Sequence, residues 1–463
     1  MYTSWIDWGI SFGSHDSAIA VFNNKKLVFA TEGERWSKKK HDKTLPPQLL
    51  EYVKDKYGEP DNIYYFENYN TKEHRRKAAG QNPKEEPYLG PQCDCGYHYK
   101  DWTVTDHHHS HASWGYYTSP FEDCTVLVVD SIGEWETMSK WRCSGGMMSK
   151  TNSWQYPSSL GLMYTSATMA GGWKGNSEEY KMMGAAAFGK GQKEYKILKE
   201  LWESDYNFHK GWPYEGDPFE IAAGAQRLYE EVLMKIIKWI EGPLVLVGGC
   251  ALNVSVTRLI ENELYIPPAP NDAGSAIGCA IHRFENKRKF LLDFNPFQGY
   301  NIDKELRPDL IVKELKESGI VGVANGRAEF GPRALGNRSI LADPEHKDWK
   351  LKLNKIKNRE PWRPYGVMVR EKDMSQFFNE TRPSPYMGMC FTANKVMQES
   401  IPSVIHKDGT VRVQTITEEH PLWELFDTFP MLVNTSLNIK GKPIVNDEAD
   451  VIEMRDKTNL VIL

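Results

Sequence analysis

At 463 residues the chain has room for two or three domains of about 150 residues each. Its 40% hydrophobic and 26% charged residues match folded cores and exclude general disorder. The 57 Lys and Arg against 62 Asp and Glu give a net charge of −5, which excludes a surface built to neutralise many phosphates of duplex DNA.

No run approaches ~18 consecutive apolar residues, and the first residues lack a basic segment followed by an apolar one. A cytoplasmic location and no membrane partner are therefore expected. From the N-terminus, residues 6–12, 18–22 and 27–31 read as strands of a β-meander, with Asn23-Asn24 as a turn. Residues 67–104 are rich in charge, Gly, Pro and Tyr, which predicts a long surface excursion or lid. Within it, Cys93-Asp94-Cys95 with His98 resembles half a zinc site, but no second Cys pair follows at a finger-like spacing, so a polar loop is expected. The cysteines number seven, an odd count, and Cys124, Cys250 and Cys279 sit in apolar text, which reads as reduced thiols.

Near residue 125 the opening unit recurs: a buried strand ends at Asp130, a Gly turn follows, and a polar strand runs through Trp141. Two such units predict a duplicated fold. Ile221, Ala225, Leu228, Val232, Ile236 and Trp239 recur at threes and fours, predicting a helix over 220–240. A strand over 244–247 then runs into Gly248-Gly249-Cys250-Ala251-Leu252-Asn253, a strand, Gly turn and helix that can turn backbone N–H groups toward an anion or a ribose. Residues 290–309 are rich in Pro and Asn and mark a domain boundary. The remaining ~150 residues form an independent α/β unit, opening with a helix over 309–318 and a strand over 319–324.

Two constellations carry chemistry. Asp106-His107-His108-His109-Ser110-His111 spaces His107 and His111 at i, i+4, which on a helix brings two imidazoles to one face. Asp130 closes a buried strand and Asp272 opens an Ala/Gly-rich helix, so two imidazoles and two carboxylates suit iron, manganese or zinc. The second lies in the C-terminal unit, where Gly326 to Ser339 pack Arg327, Arg333 and Arg338 among glycines. Lys357, Arg359, Arg363 and Arg412 follow, with the polar run Asn434 to Asn438. Arginine favours planar oxyanions gripped by paired hydrogen bonds, and buried cations in such text require partners.

These motifs, in order, resemble a known family. His15-Asp16-Ser17-Ala18, Glu32 to Arg35 with Lys40-His41-Asp42, the His107 to His111 run, Glu179 to Gly184, Gly248 to Asn253, Asp272-Ala273-Gly274, Gly326 to Ile340, Lys357 to Pro364, Asp408 to Arg412 and Asn434 to Val445 are similar to the NodU/CmcH-type O-carbamoyltransferases. The resemblance implies a duplicated actin/hexokinase-like (Kae1-like) α/β domain over residues 1–300 and a YrdC-like α/β domain over 301–463. It implies that the C-terminal domain makes carbamoyl-adenylate from carbamoyl phosphate and ATP, with pyrophosphate released. The N-terminal domain then passes the carbamoyl group to a hydroxyl. Carried over by position, His107, His111, Asp130 and Asp272 fall where the family binds its metal, usually iron. Gly248, Gly249, Asn253, Glu179 and Lys181 fall on the nucleotide side. His15 is the expected general base, a neutral imidazole near pH 7. Arg333, Arg338, Lys357, Arg363, Arg412, Asn434 and Ser436 match the carbamoyl phosphate and ATP site. The cofactors so implied are iron or another divalent metal, and magnesium with ATP.

This chain is shorter than typical family members, with the losses between motifs. Gly33 stands where a second acid is usual, and Ala185-Ala186-Ala187-Phe188 replaces a Leu/Pro-containing version. The departures touch no candidate catalytic residue and bear on the acceptor, which family precedent makes a natural-product, sugar or hydroxymethylated nucleobase or nucleotide hydroxyl. A homodimer is the default assembly. Competing readings are an actin/hexokinase-like nucleotide-dependent kinase and a threonylcarbamoyl-type transferase acting on tRNA.

Overall fold

A computed structural model of the chain describes residues 5–81, 96–284 and 294–463. Cys93-Asp94-Cys95 lies outside the described residues. The residues gather into two compact units. One holds Met1–Ser37, His41–Asn253 and Ile260–Asn295; the other holds Lys38–Lys40, Val254–Leu259 and Pro296–Leu463.

The first unit is built twice on one plan. Its opening sheet comprises β1 (Ile6–Ser11), β2 (Ala18–Asn23), β3 (Lys26–Glu32), β4 (Asn62–Tyr65) and β5 (Thr103–Val104), in the order β3-β2-β1-β4-β5. The meander β1-β2-β3 is antiparallel, whereas β4 joins β1 and β5 joins β4 in parallel. A second sheet of β6 (Cys124–Val129), β7 (Glu136–Ser144), β8 (Met147–Gln155), β9 (Leu244–Val247) and β10 (Leu264–Tyr265) has the order β10-β9-β6-β7-β8. Counted from its own first strand, this repeats the plan: an antiparallel meander on one side and two parallel strands on the other. The unit therefore has the duplicated actin/hexokinase-like architecture.

Burial explains the strand patterns. The β1 side chains are buried throughout, and Trp8, Ile10, Phe12, Val21 and Phe29 pack with Leu49, Val53, Tyr65 and Phe66 into one core. Strands covered on both faces read as continuous apolar runs. Part of the expected 67–104 excursion is instead the helix Tyr69–Ala78, capped where the Asn68 side chain accepts from the Thr71 N–H. The helix predicted over 220–240 spans Pro218–Ile237, with Asp217 accepting from the N–H groups of Phe219 and Glu220. It buries Leu233 and Ile237 in its last turns, not Val232 and Ile236, and Trp239 lies beyond its end, 76% exposed. Asn253 follows a short 3-10 turn, Gly249–Leu252, where the sequence predicts a helix.

The second unit holds the two-stranded pair β11 (Phe297–Ile302) and β13 (Gly326–Glu329) and a six-stranded mixed sheet. The latter comprises β12 (Ile320–Ala324), β14 (Arg338–Ala342), β15 (Gly366–Arg370), β16 (Met389–Thr392), β17 (Thr410–Ile416) and β18 (Leu432–Ser436), in the order β12-β14-β18-β15-β17-β16. The helix Pro308–Ser318 covers it, burying Ile311 and Leu315 against Val321, Leu341, Met368 and Leu432. This is the expected C-terminal α/β domain. Among the described residues Cys124, Cys143, Cys250, Cys279 and Cys390 are free thiols, and no helix is long and apolar enough to cross a membrane.

Candidate functional site

His107 and His111 open the helix His107–Thr118 and share one face as their spacing requires. That helix packs closely on Asp272–Ile281. A Cβ on Gly278 would stand 2.0 Å from the Ser110 carbonyl oxygen, so only glycine permits the approach. The Trp114 indole N–H donates to the Ala269 carbonyl at 2.7 Å and fixes the chain just ahead of Asp272. Asp130 arrives from the end of β6. The four residues converge, with one donor atom from each lying within 4.8 Å of all the others. His107 Nε2 is 3.0 Å from Asp130 Oδ2 and 3.1 Å from His111 Nε2, which is 3.3 Å from Asp272 Oδ1. Two buried ring nitrogens facing each other and two carboxylates are a donor set that could hold a divalent cation. Burial lowers the His107 pKa, but the Asp272 charge and the bonds with Asp130 and Glu67 outweigh it and hold the imidazole well above its ordinary value.

The support of this cluster is absent from the sequence reading. Glu67 Oε2 lies 3.8 Å from His107 Nδ1, on the ring edge away from the other three ligands. Lys72 and Tyr65 donate to Glu67 Oε1 at 2.6 and 3.2 Å. Burial raises the Glu67 carboxyl, and Lys72 and His107 more than reverse this, leaving it at about 2. Glu134 accepts the backbone N–H of His107 and of Asn68, capping the histidine helix. The Gly249 N–H donates to Asp130 Oδ1 at 3.3 Å, and Gly248, at φ 92°, has no room for a Cβ, which would lie 2.2 Å from the Val129 carbonyl oxygen.

The other predicted nucleotide-side residues turn inward. Asn253 and Gln226 exchange amide hydrogen bonds at 2.9 and 3.2 Å, which commits the Asn253 side chain to the core. Lys181 pairs with Glu178 at 2.5 Å. Glu179 accepts from Thr165 and from the Asn176 N–H. The carbonyl of Asn176 accepts in turn from His15 Nε2 at 2.8 Å, while His15 Nδ1 meets Asp16 at 2.7 Å. Burial opposes the charged form of His15, but Asp16 and the Asn176 carbonyl outweigh it and raise the pKa to about 10. The expected neutral imidazole is thus a doubly donating imidazolium, because both nitrogens face acceptors.

In the second unit, Asn434 on β18 is directly opposite Gly366 on β15, and the register Val367 to Val413 sets Arg412 on β17 beside Gly366. Asn434 donates to Gln414 at 2.7 Å, so Asn434, Gln414 and Arg412 share one sheet face. Among the described residues Arg412 Nε and Nη2 and Asn434 Oδ1 are buried without a hydrogen-bond partner. Lys357, half-buried, is held by Ser436 O at 2.7 Å, Ser436 Oγ at 3.2 Å and Asn438. Burial drives its pKa well below the usual lysine value, and the charges acting on it from Arg359, Lys40 and Arg363 push the same way. Cations gathered around unpartnered buried donors suit the chemistry of an oxyanion. Arg363 also pairs with Glu360 at 3.1 Å, and Arg333 is half-buried.

Arg338 departs from its predicted role. Its guanidinium is fully buried and donates to the carbonyls of Asn325, Asn337, Tyr300, Gly326 and Asn446, leaving no donor for a ligand. Beside it Glu329 Oε1 accepts four successive backbone N–H groups, from Leu335 to Arg338. The pair shapes the Arg333-bearing loop.

Comparison with known proteins covers both units. Residues 7–95, 90–211 and 196–281 match the family described as Carbamoyltransferase N-terminus, and residues 312–463 match Carbamoyltransferase C-terminus. The 3'-hydroxymethylcephem-O-carbamoyltransferase of Amycolatopsis lactamdurans is 27% identical, over 97% of this chain and 96% of its own. The nodulation protein NolNO of Sinorhizobium fredii is 26% identical, over 95% of this chain and 76% of its own. Among solved structures, component A of the (R)-2-hydroxyglutaryl-CoA dehydratase of Acidaminococcus fermentans aligns at a TM-score of 0.39 and 14% identity, over 60% of this chain and 97% of its own.

Proposed function

Since the chain belongs to the carbamoyltransferase family and is a transferase, we propose that it activates carbamoyl phosphate with ATP and moves the carbamoyl group to an acceptor hydroxyl. The observation that carries the first half is the Arg412 guanidinium, whose buried Nε and Nη2 have no partner, on the same sheet face as Asn434 with its amide oxygen unpartnered. A carbamoyl group needs that set: donors for its oxyanion and an acceptor for its amide N–H. Water takes the phosphate from carbamoyl phosphate, the resulting carbamate oxygen attacks the α-phosphorus of ATP, and inorganic phosphate and pyrophosphate leave. Lys357, Arg363 and Arg412 hold the charge that develops on the phosphoryl oxygens, a contribution of the kind worth about 3–4 kcal/mol per well-placed donor.

For the second half, His107, His111, Asp130 and Asp272 are the residues that would hold iron or another divalent cation. Bound there, such an ion would neutralise charge on the adenylate phosphate. The acceptor is a small-molecule hydroxyl, of a natural product, a sugar or a hydroxymethylated nucleobase.

The test incubates the full chain with magnesium, ATP, labelled carbamoyl phosphate and a panel of hydroxylated compounds. Pyrophosphate release and a mass gain of one carbamoyl group on an acceptor are expected, with pyrophosphate release abolished in Arg412→Ala. Accumulation of ADP instead would indicate a kinase, and carbamoylation of tRNA alone would indicate the threonylcarbamoyl-type class.

A further inference from the structure

Two buried side-chain amides in the second unit form a relay whose direction is set by the backbone. Gln414 on β17 and Asn434 on β18 are each 1% exposed. Asn434 Nδ2 donates to the Ala334 carbonyl at 3.1 Å and to Gln414 Oε1 at 2.7 Å, which uses both of its hydrogens. Gln414 Nε2 donates to the Leu335 carbonyl at 2.9 Å. A backbone carbonyl only accepts, so neither amide can turn over without setting oxygen against oxygen. The two carbonyls are themselves held in place. The N–H groups from Leu335 to Arg338 are tied to Glu329. His420 Nε2 donates to the same Leu335 carbonyl at 2.8 Å, while its Nδ1 accepts from the Leu422 N–H.

One atom of the relay is left over. Asn434 Oδ1 is buried with no hydrogen-bond partner among the described residues, on the sheet face that carries Arg412. An unpaired buried acceptor costs stability, so such an atom marks a place where a ligand supplies the donor. Gly366, directly opposite Asn434 on the intervening strand β15, contributes no side chain between Asn434 and Arg412. The leftover atom is an acceptor because Gln414 presents its oxygen, not its nitrogen, to Asn434. A donor at position 414 would reverse that choice.

We infer that Gln414 is a positioning residue: by fixing the Asn434 amide with its oxygen unengaged, it makes this site select ligands that carry an N–H donor beside their oxyanion. A primary amide is then preferred over a ketone or a carboxylate of the same shape. The inference rests on the carbamoyl-transfer reading above and adds to it the residue that sets the choice. Carbamoyl phosphate meets both demands, since its oxygens take the cationic donors and its N–H2 group donates to Asn434 Oδ1. An acyl phosphate with a methyl group in place of the amide leaves Oδ1 unpaired, and a carboxylate sets a charged oxygen against it. Gln414 acts through Asn434.

Calorimetric titration of the full chain with two stable phosphonates tests this. Phosphonoacetamide and acetonylphosphonate differ only in an N–H2 group against a methyl. The unaltered chain is expected to bind the amide about 5–150-fold more tightly, the difference between one buried acceptor paired and the same acceptor left bare. Equal affinities overturn the inference. Gln414→Met fills a similar volume but offers Asn434 no oxygen, and is expected to bring the ratio close to one, with the Leu335 carbonyl still held by His420. Gln414→Glu keeps an oxygen for Asn434 and is expected to weaken both phosphonates through its added charge while preserving the ratio. A merely structural role for Gln414 predicts one ratio in all three proteins, so an unchanged ratio in Gln414→Met also overturns the inference. A ratio lost in Gln414→Glu does the same, whether or not the Met variant folds. Failure of the unaltered chain to bind carbamoyl phosphate and both phosphonates would instead sink the carbamoyl-transfer reading, a result distinct from equal binding of the two.

Discussion

Lys357 shows how far a single residue departs from its behaviour in water. Burial, and then the charges of Arg359, Lys40 and Arg363, hold its pKa well below the usual lysine value. An oxyanion replaces the lost solvation and raises the pKa, so binding takes up a proton, and affinity strengthens as pH falls through the window between the two values. Calorimetry of phosphate binding in buffers of different ionisation enthalpy measures that proton; equal heats in all buffers would refute it, and Lys357→Met is expected to abolish the uptake. Glu67 gives a second prediction. As the carboxylate behind His107, its replacement in Glu67→Gln is expected to weaken divalent-cation affinity about 10–100-fold, read by chelator competition, with Glu67→Asp recovering part of the loss. The sequence shows the four candidate donors openly, because an i, i+4 pair and strand-end or helix-start aspartates are local patterns. It hides Glu67, whose partner His107 comes from a helix tens of residues away, and it misreads Arg338, since nothing local distinguishes an arginine that holds carbonyls from one that holds a ligand.

Elements bring these residues together through their spacing more than through their propensities. The histidine helix and Asp272–Ile281 touch at Gly278, whose missing Cβ sets their separation. Gly278→Ala is expected to force them apart, lowering stability by about 1–3 kcal/mol in chemical denaturation and weakening cation binding, because His111 and Asp272 sit on opposite sides of the contact. Unchanged cation affinity in a folded Gly278→Ala protein would show that the helices adjust without moving the donors. The periodicity over 220–240 identifies the helix and its buried Ile221, Ala225 and Leu228 but misjudges its last turns by one position, since Val232 and Ile236 are as apolar as Leu233 and Ile237. Trp239 extends the pattern past the true end. The helix Tyr69–Ala78 escapes notice for the opposite reason: it is highly charged, and its structure comes from the Asn68 cap and from a buried Tyr69, Glu73 and Arg75.

At the scale of the whole chain, the duplication is legible because both sheets open with the same strand and turn text, whereas the domain division follows contacts that no composition shift marks. The Pro- and Asn-rich stretch suggests one cut near residue 300, yet Val254–Leu259 and Lys38–Lys40 group with the C-terminal residues. Within that second unit the Thr257 hydroxyl accepts the Cys390 N–H at 3.0 Å, and the Thr257 carbonyl accepts from Arg382 at 2.6 Å. Lys38 pairs with Asp447 and Asp450 at 3.2 and 2.5 Å. A fragment of residues 296–463 therefore lacks partners for groups at the edge strand β16 and at the start of the last helix. The cost of each buried group left unsatisfied is about 1–3 kcal/mol, a large share of the ~5–15 kcal/mol that stabilises a domain. The fragment is expected to melt well below the C-terminal transition of the full chain, or to aggregate through its bare edge. Thr257→Val in the full chain, which removes one of these contacts, is expected to lower the same transition by a smaller amount. A fragment as stable as the full chain's C-terminal unit, followed by calorimetry, would show that the two embedded segments are passengers.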